Sequence, residues 1–123
     1  MISKRAFHAA KNRCCRLLVS RGYAPVVPVA DHPLSGFTKL HLIGLKGTYE
    51  ALCIRIRHVE GAVSPEYVEY ACRFECCQLR SLLEKYPGDI FLRCEVWAIS
   101  PTGGIHCYEI TADSLTEVAA YVR

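Results

Sequence analysis

No acidic residue stands before Asp31, although Lys4, Arg5, Lys11, Arg13, Arg16 and Arg21 all do. A tract of cations without carboxylates has no counter-ions of its own, and it points to an anionic partner or surface. No apolar run approaches the roughly 18 residues that a bilayer span needs, so there is no candidate transmembrane helix and no membrane partner is expected. The same early cations interrupt any stretch that would serve as a signal peptide, and the chain is expected in the cytoplasm. No CxxC pair occurs among the eight cysteines, and most of them fall inside predicted helices and strands. Without an export signal they read as reduced, buried thiols acting as small hydrophobes. The alternative is a zinc site on Cys72 and Cys76, four apart on one helix face, although no second pair of ligands is evident. Internal repeats and low-complexity segments are also missing, and 123 residues suit one domain with one core, residues 1–123.

The clearest positive signal is Tyr49 to His58, which is β-branched, aromatic and apolar, with no Gly or Pro inside. It predicts a strand. Alternation puts Leu52, Ile54 and Ile56 on one face, expected to be core, and Ala51, Cys53, Arg55 and Arg57 on the other. Two strand steps separate the two guanidinium groups by roughly 7 Å. They form either a phosphate grip or a set of solvated charges paired with acids such as Glu95.

From Ser3 to about Ser20, Ala6, Phe7, Ala10, Cys14, Leu17 and Leu18 recur at helical spacing, and Gly22 is placed to end the helix. Arg5, His8, Asn12 and Arg16 fall opposite, flanked by Lys4 and Lys11. That side is either a solvated surface or a phosphate contact. Tyr23 to Ala30 reads as an edge strand or irregular arm, because Pro25 and Pro28 each remove a ladder donor. Residues 31–36 have loop chemistry, and Phe37 to Leu45 reads as a second strand that turns at Lys46-Gly47 into the strand of Arg55. Ser64-Pro65-Glu66 opens one long helix whose buried stripe runs from Val68 to Tyr86, ending at Pro87-Gly88. Glu75 falls among those apolar positions, either at the stripe's edge in solvent or partly buried against a basic partner. Ile90 to Ile99 and Ile105 to Thr111 read as a hairpin about Pro101-Thr102-Gly103-Gly104. Ser114-Leu115-Thr116-Glu117 reads as a capping box for a short last helix to about Tyr121. The expected fold class is α/β, a mixed β-sheet flanked by helices.

This order of elements, with these residues, resembles the archaeal Holliday-junction resolvases, a branch of the restriction-endonuclease-like nuclease superfamily. Tyr49 to His58 looks like the family's strand bearing its Glu-x-Lys motif, Arg16 to Tyr23 like the end of its first helix, and Gly103-Gly104 to Thr111 like its last hairpin. The resemblance implies an αβββαββα topology, a homodimer, and cleavage of branched DNA with a divalent metal held by carboxylates. The chain departs from the family at each catalytic position. Arg55 stands where the motif glutamate would be, Arg57 where its lysine would be, His41 where the second-strand aspartate would be, and Lys11 near the first-helix glutamate. Magnesium needs oxygen ligands, and a guanidinium has no lone pair to offer.

The family's reaction is therefore not expected here. The expectation leans away from an enzyme without deciding it, and no cofactor or metal is expected. The protein would bind nucleic acid, DNA ahead of RNA, or a partner nuclease. Arg55, Arg57, His41, Lys39, Lys11, Arg5 and Arg16 are the candidate contacts. Two alternatives stand beside it: an active nuclease whose carboxylates have moved to Glu50, Glu75 or Glu95, and an assembly module that touches no nucleic acid.

Overall fold

In the computed structural model, which describes residues 3–27, 40–47, 50–88 and 91–118, Ser3 caps the first helix by accepting a hydrogen bond from the Ala6 amide at 3.1 Å. Helix α1 (Lys4–Ser20) buries Ala10, Cys14, Leu17 and Leu18. It ends where Gly22 takes φ +93°, with the Gly22 and Tyr23 amides returning to the carbonyls of Val19 and Leu18. Ala6 is exposed rather than part of the apolar side.

Among the described residues six strands follow: β1 (Ala24–Val26), β2 (Leu42–Lys46), β3 (Glu50–His58), β4 (Leu92–Ile99), β5 (Ile105–Ile110) and β6 (Leu115–Glu117). They form one sheet in the order β1-β2-β3-β4-β5-β6. Only β3 and β4 run parallel, with Cys53 opposite Cys94 and Arg57 opposite Ala98. The crossover between them carries α2 (Pro65–Ala71) and α3 (Arg73–Lys85). Strand β1 lies at the sheet's edge, as its proline requires.

The sheet is covered on both faces. Leu42, Leu52, Ile54, Ile56, Trp97 and Ile99 pack with α1. Ile43, Cys53, Cys94, Val96, Tyr108 and Ile110 pack with Val68, Cys76, Leu79 and Leu82 of the crossover helices. The arrangement is a mixed α/β sheet between helical layers.

Two expected elements are corrected. The long helix opens as read, with Ser64 capping the Tyr67 amide at 3.2 Å and Pro65 in the first turn. It then breaks at Cys72, whose φ −107° and ψ 24° leave the helical range. The Cys72 side chain is fully buried in the core at that point. The capping box at Ser114 starts no helix. The Ser114 hydroxyl meets that of Thr111 at 2.5 Å, and the Thr111 amide donates to the Ser114 carbonyl. This closes a hairpin, and Leu115–Glu117 adds a sixth strand beside β5. Leu115 covers the crossover-side core, which a strand side chain does while its neighbours stay exposed. The predicted loop at 31–36, Phe37 to Lys39, Tyr49, Ile90 and Tyr121 lie outside the described residues.

Candidate functional site

Strand β3 runs on beyond its pairing with β2, whose first residue, Leu42, lies opposite Ile54. His41 occupies that corner. Its amide donates to the Ile54 carbonyl at 3.0 Å, and the Ile56 amide donates to its Nδ1 at 2.7 Å. An accepting Nδ1 fixes the neutral tautomer with the proton on Nε2. Burial, then the positive charges of Arg55 and Lys11, push the His41 pKa down to about 4. The ring is therefore an uncharged, oriented group at neutral pH.

Arg55 and Arg57 share a face, as the alternation requires, but α3 covers that face. Glu75 projects from α3 and is only 5% exposed. Arg57 Nη1 donates to Glu75 Oε2 at 3.0 Å, and Arg55 Nη2 lies 3.9 Å from the same oxygen. Arg55 Nη1 also donates to the Gln78 side-chain carbonyl. The bond to Glu75 holds the Arg57 guanidinium above its ordinary pKa, while burial pulls Arg55 below its own.

Glu75 is thus the buried carboxylate against a basic partner, not the solvated one. Glu95, offered above as a partner for the arginines, lies on the other face. There it takes Arg21 and the Trp97 indole N–H.

His41, Arg55, Arg57 and Glu75 line one cavity of about 680 Å³, with Phe7 and His58 also in its wall. The Phe7 ring stands edge-on to His41, 5.2 Å between centroids, and tilted to His58 at 6.1 Å. Lys11 lies near enough to disfavour protonation of His41, and Arg13 does the same to His58. Arg55 Nε and Glu75 Oε1 are buried without any hydrogen-bond partner.

The structure therefore brings together His41, Arg55 and Arg57, with Lys11 nearby. Arg5 and Arg16 do not join them; both are exposed on α1. Lys39 lies outside the described residues. Two cations of the early basic tract are structural. Arg21 is bonded to Glu95, and Arg13 donates to the Gly103 carbonyl of the β4–β5 turn.

Phe7 and His58 join the cavity wall without a local sequence signal for that role. Phe7 looked like one more member of α1's apolar stripe, and His58 like the end of a strand. The signal for Glu75 was present in its place among apolar helix positions.

The three acids named for the relocated-carboxylate alternative do not converge. Glu50 accepts from the Tyr23 hydroxyl at 2.7 Å and sits 3.7 Å from Arg93. Glu95 is held on the α1 face, so of the three acids only Glu75 reaches the cavity. Among the described residues, no three His, Cys, Asp or Glu side chains are grouped to hold a metal ion. Cys72 and Cys76 are fully buried in the core, where burial pushes each thiol up to about 12. Among the described residues, no helix is long and apolar enough to cross a membrane. No family model matches the chain, and no curated protein matches it.

Proposed function

We propose that the protein binds nucleic acid through its phosphates, at the mouth of the His41–Arg55–Arg57 cavity and along the exposed side of α1. In this reading it is a resolvase-like domain in which cations replace the metal-binding carboxylates, DNA is the target ahead of RNA, and the working form is a homodimer. The supporting observation is the convergence of His41, Arg55 and Arg57 in one cavity, the three positions that the resemblance sets in the family's catalytic cleft. Helix α1, strands β1–β3, the crossover helices and the β4–β5 hairpin fit the resolvase order, and β6 departs from it.

The burial of Arg55 shifts the work of gripping phosphate. Its side chain is 12% exposed and committed to Glu75 and Gln78, whereas that of Arg57 is 46% exposed. Arg57, Lys11, Arg5 and Arg16 are therefore the contacts: Arg57 donates to Glu75 through Nη1 yet stays half-exposed, whereas Arg55 is enclosed beside Glu75 and Gln78.

The test is a binding titration on duplex DNA at several salt concentrations. Each cation that neutralises a phosphate contributes roughly −0.9 to the slope of log affinity against log salt. Arg57→Gln, Arg5→Gln and Arg16→Gln should each flatten it by about one unit. No salt-dependent binding, or slopes unmoved in folded variants, removes this reading.

One observation favours the assembly module as a second reading. Tyr70 and Phe74, on α2 and α3, are 68% and 73% exposed. Association with a protein that ignores salt and is lost in Phe74→Ser would support it.

A further inference from the structure

We infer that the cavity takes one unstacked nucleobase of a single strand whose phosphates lie on the surrounding cations; this rests on the nucleic-acid reading above. Three observations point beyond a bare phosphate site.

The first is size. At about 680 Å³ the cavity is in the range that holds a drug-sized ligand, roomy enough to admit a base together with its sugar.

The second is the wall. The Phe7 ring flanks the space with the rings of His41 and His58 beside it, and Ile56, Val59 and Pro101 complete an apolar lining. A flat heteroaromatic ring suits such a wall, as it does in sites that receive flipped bases.

The third is the pair of unpartnered atoms. Arg55 Nε is a donor and Glu75 Oε1 an acceptor on two residues that line the cavity, both atoms closed off, so that a ligand reaches them through a small shift of those side chains. A phosphate would satisfy the arginine, but it brings no proton for the carboxylate and would be repelled by it. The Watson–Crick edge of every nucleobase presents a donor beside an acceptor and matches both. The His41 ring, held neutral by the Ile56 amide, adds an N–H without adding charge. Because all bases share the donor–acceptor pattern, the pocket should tolerate any of them. The half-exposed Arg57 at the rim meets the flanking backbone.

The experiment compares three fluorescein-labelled short DNAs of equal length at one low salt: an ordinary single strand, a single strand of abasic sites, and the ordinary sequence as a duplex. Base stacking and edge contacts should make the ordinary strand bind about tenfold tighter than the abasic one. The duplex should fall below the single strand, because its bases must first be unstacked. Phe7→Ala and His58→Ala should each bring the ordinary-to-abasic ratio close to parity, with circular dichroism confirming the fold. If Phe7→Ala does not fold, His58→Ala decides. Equal binding of ordinary and abasic strands would overturn the base pocket and leave phosphate binding standing. A preference kept by folded variants, or a duplex that binds tightest, would also overturn it. Absence of binding to all three would remove the nucleic-acid reading itself.

Discussion

Arg21 closes a fork on Glu95, with Nη1 to Oε1 at 2.7 Å and Nη2 to Oε2 at 2.8 Å. Glu95 is wholly buried on β4, and its Oε1 also accepts the Trp97 indole N–H at 2.7 Å. The guanidinium lies 5.8 Å from the centroids of both Tyr23 and Trp97. A residue at the C-terminal cap of α1 is thereby tied to a central strand. Removing one partner of a buried pair leaves the other charge uncompensated, which costs about 3–5 kcal/mol. Arg21→Ala should lower the unfolding free energy by that amount, read from the urea midpoint at constant slope. A loss of less than about 1 kcal/mol would mean that the carboxylate finds another partner.

Gly44 should tolerate no side chain. A Cβ there would sit 2.9 Å from Leu18 Cδ1 and 3.0 Å from Tyr23 Cδ2, where the end of α1 presses on β2. Overpacking of this kind costs about 1–3 kcal/mol. Gly44→Ala should lower the melting temperature by several degrees, while Gly88→Ala, with no atom near its Cβ but φ +81°, tests backbone strain alone.

Acid should weaken the fold through His41. Its pKa falls from 6.5 to about 4 on folding, so between those values the unfolded chain binds the extra proton. Stability is then complete above about pH 6.5, declines as pH falls toward 4, and changes no further below it on this account. The full effect is about 3 kcal/mol. His58 is lowered in the same direction and adds to the decline. Urea unfolding at pH 7 and pH 4.5 should show the loss, and His41→Gln should reduce it.

The thiols should divide by exposure. Cys77 is exposed and Cys15 half-buried, while the other six are buried, and none of the eight is in a disulfide. A thiol reagent should take up about one equivalent quickly, a second more slowly, and the rest only on unfolding. Six fast equivalents in the native protein would contradict the packing.

Much of this was legible in local pattern. Alternation in β3, the cap-and-proline start at Ser64 and the glycine turn after Ile99 are short-range signals, and each has its element. The sheet with helical layers follows from them. What failed was decided at a distance. Ser114 looked like a helix cap because the sequence does not show that Thr111 folds back to claim its hydroxyl. The outward face of β3 looked open because the sequence does not show that α3 crosses it and lowers Glu75 between the arginines. The meeting of His41, Arg55 and Arg57 was expected only through the resemblance, whereas Phe7 entered the cavity wall through packing alone.

The strands stand in the sheet in the order in which the chain is synthesised. Each new strand is laid beside the one before it, and the parallel β3–β4 seam must wait for a long span, both crossover helices, to be closed. That non-local step joins the two halves of the sheet, and its long closure makes it the natural bottleneck in folding. The cavity straddles the seam: Phe7, His41 and Arg55 come before the crossover, Glu75 lies on it, and Ser100 and Pro101 follow it. A nascent chain that has emerged only as far as β3 carries α1's cations but has no pocket. The cavity is thus closed only when β4 has met β3, and any ligand held there would need both parts in place.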